Sequence, residues 1–394
     1  MKIKIYRGTH QIGGCITEIT TEKTRIIIDL GTVLPYRNGK MPKENLVIEG
    51  VTYIGHQKCD AILFTHYHND HTGLLGKAIE GIPTYMGEGA KKIFLLSQMH
   101  KDSDTVSRIE EMNSYRDGET FTVGDIKITP ILTDHSAFDA YMLLIEADGK
   151  RILHTGDFRT HGIKGKMVIP RLSRLRGLVD VMITEGTNLS YKDPVVTSES
   201  LLAEAAEILM ERYKYVFVLC GATDIDRLAV FHKASARKKR FLCDAYQMSL
   251  LETAAKYGSS LSDFYRFYRS GVYFEDMDGL QDGFCMAIRN EKDFSKIMEP
   301  YSEKHNEESL VIYSMSEGYL KKHRQTIERI IGGFRYIVKL HTSGHASEEA
   351  IWEVANTVCA KKIVPIHTED PKKIRVGALQ ARVVFLEDGQ DFNI

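Results

Sequence analysis

Short apolar runs that each lead into polar residues recur along the first half of the chain. They lie at residues 26–28, 61–64, 152–153 and 181–183, and a strand pattern with alternating apolar residues lies at 126–132. Runs this short, separated by turn-forming residues, are typical of buried strands. The pattern therefore predicts a first part, to about residue 190, built mainly of strands, with a longer helix near residues 90–100.

The pattern changes after residue 190 to strands that alternate with helices. Residues 198–213 predict a helix whose apolar face holds Leu201, Leu202, Ala205, Ile208 and Leu209. Apolar runs at 216–219, 240–243 and 309–314 follow, with a helix between the first two. Repeated βαβ units predict a small parallel sheet, and hence a second domain inserted into the first.

The densest group of chemically active side chains comes directly after the run at 61–64. His66, His68, Asp70 and His71 fall within six residues. Neutral imidazole and carboxylate are ligands for zinc or manganese. The plainer interpretation is a loop of solvated histidines. The density argues against it, because ligand-type residues rarely cluster so closely without a site.

The stretch Thr65–Gly73 resembles the metal-binding signature of the metallo-β-lactamase superfamily. The resemblance implies an αββα sandwich with a metal centre. It also implies that His66 and His68 hold one metal ion, and that Asp70 and His71 hold a second.

Residues at the ends of other predicted strands follow the order of the same superfamily. The resemblance makes Asp29 the supporting acid that orients the ligand loop, His135 the third ligand of the first metal, and Asp157 the carboxylate that bridges both. An aspartate after a strand is, taken singly, more often a turn former. The shared order of the whole set carries the resemblance.

Motifs in the second half resemble those of the β-CASP branch, and most of all ribonuclease J. They are an acid at Glu185, the segment Ser343-Gly344-His345-Ala346, and a final histidine, His367. The resemblance implies that His367 completes the second metal site, while Glu185 and His345 handle protons beside Asp70. For His345 the alternative is a capping role at the helix that begins near Ser347.

The fold class expected from this resemblance is α/β. A metallo-β-lactamase αββα sandwich would comprise residues 1–190 and 337–394, and an inserted α/β β-CASP domain would comprise 191–336. Ribonuclease J carries a further carboxy-terminal domain, and this chain stops at Ile394 without one. Dimerisation through that domain is therefore not expected, and a homodimer formed by another route stays open.

Composition and charge exclude several classes of protein. The chain has 394 residues, of which 43% are hydrophobic and 27% charged, so it is globular and not disordered. Neither a membrane-length apolar run nor a signal peptide occurs, which favours a cytoplasmic enzyme. The net charge of −1 argues against a non-specific nucleic-acid coat but not against a nuclease, whose cleft has its own local field.

The six cysteines include no CxxC pair, and several lie in apolar runs. We expect buried free thiols in a reducing compartment, and none is expected to bind metal or act as a nucleophile.

Two predicted strand-to-helix turns in the insert are candidate substrate contacts. Free N–H groups at a helix start can bind phosphate, although ordinary N-caps use the same residue types. The residues expected to contact substrate are Thr223, Arg227, Ser314, Ser316, Ser343 and His345.

The leading hypothesis is a ribonuclease that binds two divalent metal ions, zinc or else manganese. It would hydrolyse single-stranded RNA with a metal-bound hydroxide, as a 5′-to-3′ exonuclease, an endonuclease or both. His367 favours RNA, because the resemblance places Val there in DNA-processing members. The alternatives are a DNA nuclease of the same branch, a metallohydrolase of a small ester, and a non-catalytic RNA-processing subunit.

Overall fold

The computed structural model describes residues 1–35, 43–52, 58–99, 103–190, 197–235, 238–275 and 277–394. The chain divides into two compact units. The first comprises Met1–Thr160, Lys164–Lys192 and Gly344–Ile394, and the second comprises His161–Ile163 and Asp193–Ser343. The expected start of the insert at residue 191 lies outside the described residues.

The strands of the described residues are, in chain order, β1 (Lys2–Arg7), β2 (Ile16–Thr20), β3 (Arg25–Ile28), β4 (Ala61–Leu63), β5 (Thr84–Gly87), β6 (Asn113–Tyr115), β7 (Phe121–Val123), β8 (Ile126–Leu132), β9 (Tyr141–Ala147), β10 (Lys150–His154), β11 (Val181–Glu185), β12 (Tyr215–Leu219), β13 (Arg240–Cys243), β14 (Ser270–Val272), β15 (Phe284–Ile288), β16 (Ser309–Tyr313), β17 (Ile337–Lys339), β18 (Lys362–Ile366) and β19 (Asp391–Asn393).

The α-helices of the described residues are α1 (Asn69–Thr72), α2 (Glu88–Gln98), α3 (Ser103–Glu111), α4 (Gly165–Leu172), α5 (Thr187–Ser190), α6 (Glu199–Arg212), α7 (Ile225–Ser235), α8 (Ala245–Gly258), α9 (Asp293–Lys304), α10 (Glu317–Ile331) and α11 (Glu348–Val358). Short 3-10 helices lie at Leu75–Lys77, Ser173–Leu175, Asp263–Tyr265, Leu280–Asp282, Asn306–Glu308, Pro371–Lys373 and Gly377–Arg382.

The first unit contains two sheets, with strand orders β19-β1-β2-β3-β4-β5-β6 and β18-β11-β10-β9-β8-β7. Side chains of both sheets share one buried core, to which β3 contributes Ile26 and Ile28 and β11 contributes Val181 and Ile183. Two sheets that bury one face against each other form a sandwich. The expected α/β sandwich class is therefore confirmed.

The outer faces of these sheets carry helices. Met182, between the two inward-facing residues of β11, belongs to a separate core shared with Val168 of α4 and Val354 of α11. On the other sheet, α2 packs against β5 and β6 and buries Ile93 and Phe94. Because both faces of the central strands are covered, these strands read as continuous apolar runs and not as alternating ones.

The second unit contains a parallel sheet of order β14-β13-β15-β12-β16-β17, as the βαβ pattern predicts. Phe217 of β12 and Val311 of β16 share its core with Phe294 of α9 and Ile327 of α10. Since β17 pairs with β16 of this sheet, the first unit resumes at Gly344 and not at residue 337.

Helix α6 presents a different face to the protein from the one expected. Leu201 and Ile208 are exposed, at 48% and 67%. The buried positions are Glu199, Leu202, Ala206 and Met210. The expected apolar face is therefore right for Leu202, wrong for Leu201 and Ile208, and only half-buried at Ala205 and Leu209.

Candidate metal centre

The predicted metal ligands of the first unit lie just beyond the ends of its strands. His66 and His68 follow β4, His135 follows β8, Asp157 follows β10 and His367 follows β18. Strands β18, β11 and β10 run parallel to one another, so their carboxyl ends meet at the same edge of the sheet. This edge brings residues that are hundreds of positions apart into one cluster.

Three imidazoles form the first group. Ring nitrogens of His66, His68 and His135 lie within 4.8 Å of one another, and His68 Nδ1 is 3.2 Å from His135 Nε2. His135 Nδ1 donates to the carbonyl oxygen of Gly344 at 2.7 Å, which leaves its Nε2 directed at the group. Burial lowers the pKa of all three, that of His68 to about 4, so they are neutral and offer lone pairs.

Asp70, His71 and His367 form the second group. Asp70 Oδ2 lies 3.2 Å from His367 Nε2 and 4.0 Å from His71 Nε2. The outer ring nitrogens are held from behind, His71 Nδ1 by Asp29 at 2.8 Å and His367 Nδ1 by the hydroxyl of Thr187 at 2.7 Å. Both Nε2 atoms therefore face inwards.

Asp157 lies between the two groups. Its Oδ2 is 3.2 Å from His71 Nε2, 3.7 Å from His367 Nε2, 3.8 Å from His66 Nε2 and 4.0 Å from His135 Nε2. Burial would raise the pKa of this carboxyl, but the neighbouring histidines outweigh burial and hold the pKa well below its usual range. An ionised oxygen thus lies where both groups can share it.

Some of these buried atoms have no hydrogen-bond partner in the part of the chain that the structure describes. They are His66 Nε2, His71 Nε2 and Asp157 Oδ2. Buried polar groups are normally paired, because an unpaired one keeps the full cost of losing water. Divalent cations held by these nitrogens and this oxygen would remove that cost. The donor set therefore fits a centre of two divalent cations.

Asp29 supports the ligand loop from the end of β3. Its Oδ1 accepts the backbone N–H of Thr65 at 2.8 Å, and its Oδ2 accepts the Thr65 hydroxyl at 2.9 Å in addition to His71 Nδ1. A carboxylate only accepts, so Nδ1 of His71 carries the proton and Nε2 is the atom left for a metal. Burial lowers the pKa of His71, but Asp157 and Asp29 outweigh burial and raise it well above its usual value.

Gly31 lets the chain pass directly against the same loop. A Cβ atom at this position would lie 1.7 Å from the carbonyl oxygen of Asp70. The neighbouring Leu30 N–H donates to the carbonyl oxygen of His71 at 2.7 Å. Only glycine allows this approach, so the sequence Asp29-Leu30-Gly31 holds both the backbone and the side chains of the ligand loop.

Glu185 and His345 lie beside this cluster. His345 Nδ1 is 3.1 Å from Glu185 Oε2 and 3.5 Å from Asp157 Oδ2. Glu185 Oε1 accepts the backbone N–H groups of Phe158 and Ala346. Burial lowers the pKa of His345, but Glu185 and Asp157 outweigh burial and raise it to about 9. The imidazole therefore carries a second proton at neutral pH.

The cap of α11 is Ser347, whose hydroxyl accepts the N–H of Ala350 at 3.2 Å. His345 precedes this cap and is oriented by Asn188, whose side-chain amide donates to its carbonyl oxygen at 3.1 Å. The capping role considered for His345 is therefore filled by Ser347.

Sequence reasoning missed some residues of this site. Thr65 and Thr187 bind the outer nitrogens of ligand histidines, and Cys15 lies buried beside His71 and His367. Burial raises the pKa of the Cys15 thiol well above its usual value. The only sequence feature that indicates a role for Thr65 in the site is its position directly before His66. Nothing in the local sequence of Cys15 points to the histidines.

The residues expected to contact substrate, apart from His345, belong to the second unit. Ser316 is the N-cap of α10 and accepts the N–H of Tyr319 at 3.3 Å. Thr223 lies in the turn before α7, and Ser343 accepts a bond from His161 Nε2 at its carbonyl oxygen, at 2.9 Å. Each lies at or near a helix start or a loop, as expected.

Arg227 has a different environment from the one expected. It is fully buried and forms an ion pair with Glu199 at 2.8 Å. The remaining N–H groups go to the hydroxyl of Ser314 at 2.8 Å, to His341 Nδ1 at 3.0 Å and to the carbonyl oxygen of Thr342 at 2.9 Å. These bonds use the whole guanidinium, and they use Ser314 as well, so both residues stabilise the second unit from inside.

No helix among the described residues is long and apolar enough to cross a membrane. The six cysteines are free thiols, buried except for Cys359, which is half-buried.

Comparison with known proteins agrees with this fold. Residues 25–219 match the model of the beta-lactamase superfamily domain. Over these residues the chain is similar to that superfamily.

The chain is also similar to ribonuclease J proteins. It is 22% identical over 398 residues to ribonuclease J of Mycoplasma genitalium, covering 93% of this chain and 68% of that protein. It is 30% identical over 231 residues to ribonuclease J of Helicobacter pylori strain 26695, covering 54% of this chain and 31% of the relative. An RNase J-like protein of Methanocaldococcus jannaschii is 26% identical over 229 residues, covering 53% of this chain and 48% of that protein. The resemblance inferred from the motifs is confirmed.

A solved structure shares the fold. The crystal structure of a protein of unknown function from Enterococcus faecalis V583 superposes with a TM-score of 0.76 at 19% identity, covering 99% of each chain. Similarity at this identity speaks for the fold and not for the activity.

Proposed function

We propose that this protein is a metal-dependent ribonuclease that hydrolyses the phosphodiester bonds of single-stranded RNA. The observation that carries the proposal is the cluster in which buried Nε2 atoms of His66 and His71 and Oδ2 of Asp157 face one another without hydrogen-bond partners among the described residues. Such a donor set supports binding of two divalent ions, with zinc preferred by the imidazoles. The names of the similar ribonuclease J proteins support RNA as substrate.

The chemistry supplied by two divalent ions, when bound, is a water nucleophile at neutral pH and neutralisation of phosphate charge. In this proposal His66, His68 and His135 hold one ion, Asp70, His71 and His367 hold the other, and Asp157 is shared. Asp29 keeps His71 in the tautomer that binds metal.

The proposed role of His345 is to hold a proton beside the reacting phosphate. Glu185, 3.1 Å from Nδ1, orients the ring, and the raised pKa of about 9 keeps the ring protonated at neutral pH. A protonated imidazole in this position can donate to the leaving oxygen. We expect His345→Gln to lower turnover by about 10²–10⁴-fold while the bound metal is retained.

Thr223, Ser316 and Ser343 remain the proposed contacts for the RNA backbone. Ser316 and Thr223 lie where α10 and α7 begin, and the N–H groups at a helix start favour phosphate. Ser316→Ala should therefore slow cleavage of RNA more than cleavage of a small phosphodiester, because the strand needs positioning and the small ester does not.

The test is a cleavage assay on RNA labelled at one end and carrying a 5′-monophosphate, 5′-triphosphate or 5′-hydroxyl, with DNA of the same sequence as a control. We expect metal-dependent cleavage of RNA, and the product ladder separates exonuclease from endonuclease action. His66→Ala should abolish cleavage, and His305→Ala, at a half-buried histidine of the second unit, should not. Equal rates on RNA and DNA, or cleavage that survives His66→Ala, would overturn the proposal.

A further inference from the structure

A buried thiol lies among the ligands of the second metal group. Cys15 Sγ and ring nitrogens of His71 and His367 all lie within 4.8 Å of one another, and the three residues are buried. Cysteine sulfur and imidazole nitrogen form zinc sites together, with bonds of about 2.3 Å and 2.0–2.1 Å.

The backbone holds Cys15 against the ligand loop. The N–H of Cys15 donates to the carbonyl oxygen of Asp70 at 3.1 Å, and the N–H of Gly31 donates to the carbonyl oxygen of Cys15 at 3.1 Å. Behind the sulfur, the chain passes so closely that a Cβ at Gly8 would lie 3.2 Å from Sγ. The thiol is therefore placed by the same contacts that place Asp70.

A second observation, independent of the cysteine, points to a ligand at this position. His71 Nε2 is buried and has no hydrogen-bond partner in the described residues, although His71 Nδ1 is paired with Asp29. Asp157 Oδ2 lies 3.2 Å from this nitrogen but does not form a hydrogen bond with it. An imidazole that is oriented from behind, with no hydrogen bond in front, is arranged for a metal. Cys15 Sγ faces the same space.

We propose that Cys15 is a further ligand of the metal ion held by Asp70, His71 and His367, and that its sulfur makes this position selective for zinc over manganese. The inference rests on the proposed function, since it needs the metal centre. Binding converts the thiol to a thiolate, whose proton leaves to solvent. Thiolate is a soft ligand that suits zinc, whereas manganese prefers carboxylate and water.

Cobalt(II) is the probe that tests the proposal, because a thiolate bound to it gives an intense near-ultraviolet charge-transfer band that imidazole and carboxylate do not give. The full chain, stripped of metal and titrated with cobalt(II), should show this band. Cys15→Ser and Cys15→Ala should lose the band but keep the weaker visible bands of bound cobalt. Cys59→Ser is the matched control, because Cys59 is also buried in the first unit but its thiol donates to the carbonyl oxygen of Ala61.

Metal competition gives a second readout. Cys15→Ala should lose at least about 10–100-fold in zinc affinity at one position, because loss of a ligand should cost no less than loss of a group that only supports a ligand, and manganese affinity should change little. Cobalt bound without the sulfur band in the wild type overturns the inference and leaves the ribonuclease proposal standing. A band that persists in Cys15→Ser overturns it too. Failure to bind any cobalt or zinc overturns both proposals.

Discussion

Replacement of Asp29 by Asn is expected to weaken metal binding at the second group while the fold is kept. The carboxylate accepts the backbone N–H of Thr65 at 2.8 Å through Oδ1, and Nδ1 of His71 at 2.8 Å through Oδ2. Asn keeps the shape and one acceptor oxygen. It also tolerates the left-handed backbone at this position, where φ is 59°.

The second atom of the side chain changes from acceptor to donor. With the amide oxygen still bound to Thr65, the NH₂ group faces Nδ1 of His71 and donates to it. The imidazole then carries its proton on Nε2, which has no lone pair left for a metal. Loss of such a supporting bond lowers metal affinity by about 10–100-fold. At about 1.4 kcal/mol per tenfold change, this amounts to about 1.4–2.8 kcal/mol.

The assay is competition for zinc against a chromophoric chelator, with circular dichroism to verify the fold. Asp148→Asn is the matched control, since Asp148 also has a left-handed backbone, with φ of 50°, but lies exposed between β9 and β10. Asp29→Asn should bind its weaker zinc ion less tightly than the wild type and the control. Equal affinity in all three proteins would refute the tautomer argument.

Further predictions concern substitutions of buried or partly buried carboxylates. Asp157→Asn should abolish hydrolysis and lower the metal content measured by elemental analysis, because one oxygen serves both groups. Glu199→Gln leaves the buried guanidinium of Arg227 without its charge partner and should cost about 3–5 kcal/mol in denaturant unfolding. For Asp244, burial raises the pKa but the hydrogen bonds from Arg289 outweigh burial and lower it. Wild type should therefore be more stable than Asp244→Asn at neutral pH. This difference in the free energy of unfolding should be lost as the pH falls below about 3.9 and through the folded-state pKa. Urea unfolding of both proteins, followed against pH, measures it.

Controls for these variants come from exposed groups. Arg324→Ala removes an exposed pair with Glu328 and should change stability by about 0–1 kcal/mol. If Glu199→Gln were no more costly than Arg324→Ala, the buried network would not stabilise the second unit. If the difference in the free energy of unfolding between wild type and Asp244→Asn increased as the pH fell, the sign of the pKa shift would be wrong. Full metal content in Asp157→Asn would contradict the shared role of that carboxylate.

The strands of the sandwich could be predicted from the sequence because burial on both faces leaves a continuous apolar run and burial on one face leaves an alternating pattern. The apolar run at 181–183 lies within β11, and the alternating pattern at 126–132 coincides with β8, whose inward-facing side chains alone are fully buried. The polar residues that end these runs were recognisable for a related reason. A charged group such as Asp157, shortly after a buried strand, is costly unless something binds it.

The features that the sequence did not predict depend on contacts between residues that are distant along the chain. The buried stripe of α6 begins at Glu199, and Arg227 from α7 decides this by pairing with it. A hydrophobic pattern does not predict the burial of a charged residue, because that burial depends on an ion-pair partner elsewhere in the chain. Thr187 likewise gains its role only when β11 and β18 pair and bring His367 beside it.

The cleavage rate of a 5′-monophosphorylated RNA, measured on metal-stripped protein as zinc or manganese is added back, tests the central claim most directly. We expect no cleavage without metal and a rate that rises to a plateau when about two ions are bound per chain, as a centre of two divalent ions requires. Cleavage by the stripped protein at the same rate, or intact RNA in the presence of the fully metal-bound protein, would contradict it.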